Sequence, residues 1–80
     1  MSAGRDSSIE SSIYVKILDE MVEVWRPVRA EALGGMVFRI RLDQPTFGEV
    51  WEFKPGETVV VENQIKSGGE VAIAVRRFDG

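Results

Sequence analysis

The chain reads as an all-β protein, a small antiparallel and partly open barrel of five to six strands. Three observations predict this. Residues 36–42 read Met-Val-Phe-Arg-Ile-Arg-Leu, so Met36, Phe38, Ile40 and Leu42 share one face of an extended strand. Val37, Arg39 and Arg41 take the other face, as in a sheet with one side in a core and one in water. Gly34-Gly35, Pro55-Gly56 and Gly68-Gly69 then supply tight-turn signals between apolar runs. Finally, only one segment, residues 9–21, also fits a helical stripe.

The elements follow in order. Met1–Ser12 is Ser-rich and nearly free of apolar residues, so it is expected to be a disordered tail ahead of a single domain at 13–80. Ser7 and Glu10 have capping-box spacing, which would put Ile9, Ile13, Ile17 and Met21 on one helical face. The β-branched and aromatic run Ile13–Leu18 favours a strand instead. A turn at Asp19–Met21 leads into a second strand over 22–32. Pro27 lacks a ladder donor there, which implies an edge position, a bulge or a late start. The Gly34-Gly35 hairpin is constrained by parity. A two-residue loop would set Glu31 opposite Phe38 and Arg29 opposite Ile40. An odd loop sets Ala30 under Phe38 and Val28 under Ile40, or shifts both by two, and matches apolar with apolar. A one-residue slip inverts a whole face, so an odd loop with a left-handed glycine is expected. Arg29, Glu31, Arg39 and Arg41 then share the outside.

Residues 43–48 form a loop, and Glu49–Lys54 a short strand with Trp51 and Phe53 on one face. Lys54-Pro55-Gly56-Glu57 has the type II turn pattern. Thr58–Ile65 contains the run Val59-Val60-Val61, which suggests burial on both faces. After a turn at 66–69, the last strand puts Val71, Ile73 and Val75 on one face and Ala72 and Ala74 on the other. This count makes an SH3-like barrel the first expectation and an OB-like barrel the alternative.

The segments Ile13–Glu20, Val24-Trp25-Arg26-Pro27-Val28 and Trp51–Val59 resemble a family of short, uncharacterised bacterial proteins. The resemblance implies a small β-barrel and a bacterial source. It implies no activity and carries over no site residue.

Composition narrows the function classes. With no cysteine and no histidine, the chain lacks a disulfide, a thiolate or imidazole metal ligand, and the commonest general base. No cofactor or metal is expected, and no enzyme. Thirteen acidic against ten basic residues give a net charge of −3, which disfavours nucleic acid as a partner. No apolar run is long enough to span a membrane, and the N-terminus lacks a signal-like apolar stretch. The expectation is a cytoplasmic protein, monomeric or weakly homodimeric through an edge strand.

The candidate binding residues are Trp25, Arg26, Pro27, Arg29, Arg39 and Arg41. Unbroken alternation from Val28 and Ala30 would point Trp25 and Pro27 outward, as an aromatic shelf for an extended or Pro-rich peptide. A bulge at Pro27 would instead turn Trp25 inward as a lid on the core. That inward position is the one expected of a large aromatic in a small domain. Arg29, Arg39 and Arg41 beside an aromatic offer single-stranded nucleic-acid binding as the alternative function, with Glu31 on the same face favouring internal salt bridging. The carboxylates Asp19, Glu20, Glu23, Glu49 and Glu52 are read as solvated charge. Ser67-Gly68-Gly69 lacks the P-loop lysine and is read as a turn.

Overall fold

A computed structural model describes residues 10–66 and 68–79. Six strands form one sheet: β1 (Glu10–Leu18), β2 (Val24–Gly34), β3 (Val37–Ile40), β4 (Val50–Trp51), β5 (Thr58–Lys66) and β6 (Gly69–Arg77). Period two wins over the helical stripe in β1. Ile13, Val15 and Ile17 are buried while Met21 is fully exposed. Ser7 and Ile9 lie outside the described residues. β1 begins at Glu10, three residues before the expected start of the domain at Ile13, because Glu10, Ser11 and Ser12 pair with Glu31, Ala30 and Arg29.

Hydrogen bonds run in a ring through β1, β2, β3, β5 and β6, and β4 is an appendage on β1. Around this ring each strand neighbours the next in chain order, a meander rather than the Greek key of an OB barrel. Five strands of alternating direction leave the first and last running the same way. The closing β1–β6 contact is therefore parallel, and it is thin: among the described residues, Tyr14 opposite Ile73 is its one paired position. The ring is thus not a regular barrel.

The inner face holds the core. Ile13 faces Val28 and Ile17 faces Val24 across the β1–β2 ladder, and Val15, Ala30, Ile40, Val59 and Val61 join them in one buried cluster. Trp51 and Phe53 close one side. Each buried large side chain contributes about 1.5–3 kcal/mol of transfer free energy. With no disulfide, these side chains carry the stability.

The β2–β3 hairpin keeps the expected parity by another route. Ala30 faces Ile40 and Ala32 faces Phe38, the register displaced by two from Val28 under Ile40. Gly34 pairs with Val37 around the two-residue turn Gly35-Met36, and a bulge at Leu33 supplies the odd residue. Gly35 sits at φ 57°, in the left-handed region. The apolar face of residues 36–42 is only half realised. Ile40 is buried and Phe38 packs on the core, but Met36 and Leu42 stay exposed. β3 stops at Ile40 because the Lys54–Glu57 turn docks there. Gly56 N–H donates to Ile40 O at 2.7 Å and Ile40 N–H to Glu57 O at 2.9 Å. The turn is the expected type II, with Glu57 N–H donating to Lys54 O at 3.0 Å and Gly56 at φ 95°.

β5 and β6 pair along their length with one register shift. Val60 faces Arg76 and Val61 faces Ala74, leaving Val75 as the extra residue. Val59 and Val61 enter the core and Val60 stays partly exposed on the other side, so the valine run lies in one sheet. The shift brings Arg77 opposite Val59, where its guanidinium lies 5.6 Å from the Phe53 ring centroid. The small residues of β6, Ala72 and Ala74, face inward. Its β-branched face points out, yet Ile73 is only 1% exposed and lies outside the core cluster.

Candidate binding cleft

What covers Ile73 is the aromatic pair above it. β1 and β2 pair without interruption from Glu10–Glu31 to Ile17–Val24, with Pro27 opposite Tyr14. There is no bulge at Pro27. β2 meets β3 only from Ala30 onward, so the missing N–H of Pro27 falls on an open edge. Alternation therefore holds. Val24, Val28 and Ala30 point in, while Trp25, Pro27, Arg29 and Glu31 point out. This corrects the expectation that Trp25 lids the core. The core tryptophan is Trp51, 3% exposed.

Trp25, Tyr14, Val71, Ile73 and Lys66 line a cleft of about 230 Å³ on the outer face, over the β1–β6 seam. Four strands contribute to it. Lys66 places its ammonium 5.2 Å from the Trp25 ring centroid, within cation–π range. Trp25 is partly buried here, against the outer cluster rather than the core. Among the described residues, no carboxylate lines the cleft.

Arg26 parts company with its neighbours. It lies on the inward side at the rim of the core. Its Nε donates to Glu49 Oε1 at 2.9 Å, and its Nη2 bonds Glu49 Oε2. The Trp51 indole N–H donates to the same Oε1 at 3.1 Å. The Arg26 hydrogen bond, against partial desolvation and with help from Trp51, holds the Glu49 carboxyl below its usual range. Arg26 anchors Trp51 and β4, and does not join Trp25 and Pro27 in one surface.

Arg29, Arg39 and Arg41 do share the outer face, as expected, and each is engaged within the chain. Arg39 pairs with Glu31 directly across the β2–β3 ladder. Arg41 grips Asp43 through two bonds of 3.0 Å and reaches Glu10 at 3.4 Å. Its hydrogen bonds hold the Asp43 carboxyl below the usual range. Arg29 Nη2 donates to Asp43 O at 2.8 Å. Gln44 Nε2 donates to Arg29 O and Arg41 O, both at 2.8 Å, and fixes the loop that brings Asp43 here. A phosphate in the open groove beside Arg39 and Arg41 would have to displace these carboxylates.

The candidate residues thus fall into separate places. Trp25 lines the cleft, Pro27 shares its outward side of β2 without lining it, Arg26 turns to the core rim with Glu49, and the other arginines lie along the outer face. Residue-by-residue reading passed over Lys66, Val71 and Ile73. The signal for them was present. If the alanine face of β6 goes inside, an exposed Val-Ile-Val stripe needs a cover. Among the described residues, no group of three or more carboxylates is placed to hold a metal. No protein-family model, no curated protein and no solved structure matches the chain.

Proposed function

We propose that the protein is a non-enzymatic protein-interaction module whose cleft at Tyr14 and Trp25 takes an extended, proline-containing segment of a partner. One observation carries this reading: Trp25 points away from the core and, with Tyr14, walls a cleft floored by Val71 and Ile73. Proline rings and aliphatic side chains pack on flat aromatic faces, and a polyproline segment binds with little ordering cost. Lys66 at the cleft supplies a cation for a carbonyl or carboxylate of the segment. The open edge of β2 carries Pro27, which blunts strand pairing with a second copy. The resemblance to short bacterial proteins belongs to the same proposal.

The alternative, single-stranded nucleic acid on Arg39 and Arg41, is weakened by their ion pairs. The test is a titration of a proline-rich peptide, watched through Trp25 emission in a Trp51→Phe background. Saturable change, lost on Tyr14→Ala, supports the module. A silent peptide, with salt-sensitive oligonucleotide binding lost on Arg39→Glu/Arg41→Glu, replaces it with the nucleic-acid reading.

A further inference from the structure

A second surface, apart from the cleft, shows apolar side chains that the fold leaves uncovered. The loop between β1 and β2 exposes Met21 fully and Val22 at 72%. Leu18 pairs with Val50 across β1 and β4 beside it, and both are exposed. Val50 directly follows a tight turn in which Glu49 N–H donates to Thr46 O at 2.9 Å. Phe47 stands at the tip of that turn, 78% exposed.

Phe47 is held in an unusual conformation. Its φ is 54° and that of Gly48 is 77°, so both central residues are left-handed, as in a type I′ turn. Asn-Gly is the favoured pair in such a turn. A bulky aromatic there is strained, and this one gains no burial in return. Strain kept at an exposed side chain points to a role outside the chain.

The surrounding charge selects what can cover this surface. Asp19, Glu20 and Glu23 lie in the same loop. Glu52 is drawn alongside by its N–H bond to Lys16 O at 2.9 Å. Lys16 answers Glu23 at 3.8 Å, and Glu49 is taken by Arg26. The loop residues also line a groove of about 300 Å³. A second copy docked through the same patch would bring like charges together, and an anionic lipid surface would be repelled.

We infer that this end of the molecule docks a basic amphipathic segment of a partner protein. Its aliphatic side chains cover Leu18, Met21, Val22 and Val50, Phe47 is the anchor, and its lysines or arginines face Asp19, Glu20 and Glu52. The apolar surface carries the inference, and the carboxylates set the sign of the partner. It does not depend on the aromatic cleft.

The experiment titrates the full chain into a fluorescein-labelled leucine–lysine amphipathic peptide, with a leucine–glutamate counterpart as control. Binding of the basic peptide alone is expected, weakening with salt. Val22→Ser and Phe47→Asn should each weaken it about tenfold or more, as for a lost apolar anchor. Asp19→Lys/Glu20→Lys should abolish it. Phe47→Asn should also melt higher than the parent, since the strain is relieved. Equal binding by Val22→Ser and Phe47→Asn would reduce the effect to non-specific attraction and overturn the inference. So would a melting point that Phe47→Asn fails to raise. A concentration-dependent dimer in light scattering, dissociated by Val22→Ser, would assign the patch to a second copy and overturn it as well.

Discussion

Trp25 and Trp51 should respond to truncation in opposite ways. Trp51→Ala empties a core site that is 3% exposed and removes one of the two donors to Glu49 Oε1. Burying a Trp and then deleting it costs about 3–5 kcal/mol. A staple-free domain of this size rarely has more than about 3–5 kcal/mol in hand, so Trp51→Ala should be largely unfolded at 25 °C. Trp25→Ala removes a partly buried side chain from the outer cluster with Ile73 and Tyr14, for about 1–2 kcal/mol of transfer free energy. At about 4–8 °C per kcal/mol, the melting temperature should fall by roughly 5–15 °C with the fold retained. Thermal and urea unfolding followed by circular dichroism separates the two. A folded Trp51→Ala beside an unfolded Trp25→Ala would refute the assignment of inside and outside, and with it the cleft.

Two further perturbations test the frame that holds the cleft. Gly56→Ala should cost about 1–2 kcal/mol, because a Cβ is disfavoured at φ 95°. The new Cβ would come 2.9 Å from Leu42 Cδ2, but Leu42 is exposed and can swing away. Adding Leu42→Ala should therefore leave the loss in place, and full recovery in thermal melts would show the cost to be steric. Acid is the second lever. Glu49 and Asp43 are depressed in the folded state by Arg26 and Arg41. Their contribution is present above the ordinary carboxylate range, about pH 4, and is lost as pH falls through the depressed values. Melting temperature should drop on acidification below that range, and less so in Asp43→Asn/Glu49→Gln. An unchanged acid slope in that variant would discount both pairs.

Local pattern settled the strands but not the details that depend on distant partners. Period two in Ile13–Ile17 and the Pro55-Gly56 turn were legible from neighbouring residues alone. Parity at Gly34-Gly35 gave matching faces, but not the bulge at Leu33 or the displacement by two. Of the exposed ends of residues 36–42, Met36 falls in the hairpin turn, and Leu42 lies past the point where the 54–57 turn closes β3. The general preference for buried aromatics points Trp25 inward, but that preference takes no account of volume. Trp51 and Phe53 already close that side of the core, and pattern alone cannot count space. Alternation did split Trp25 and Pro27 from Arg26, although the three had been grouped by sequence proximity. The arginine face was legible. Its neutralisation was not, because Glu10 reaches Arg41 from 31 residues away.

On the proposed reading a partner binds in the outer cleft and not on the arginine face. Chemical-shift mapping tests it most directly, with the isotopically labelled chain titrated by a proline-containing peptide. Saturable shifts are expected at Tyr14, Lys66, Val71, Ile73 and the Trp25 indole, with the Trp51 indole unmoved. Shifts confined to Arg29, Arg39 and Arg41, or none at the Trp25 indole at saturating peptide, would contradict it.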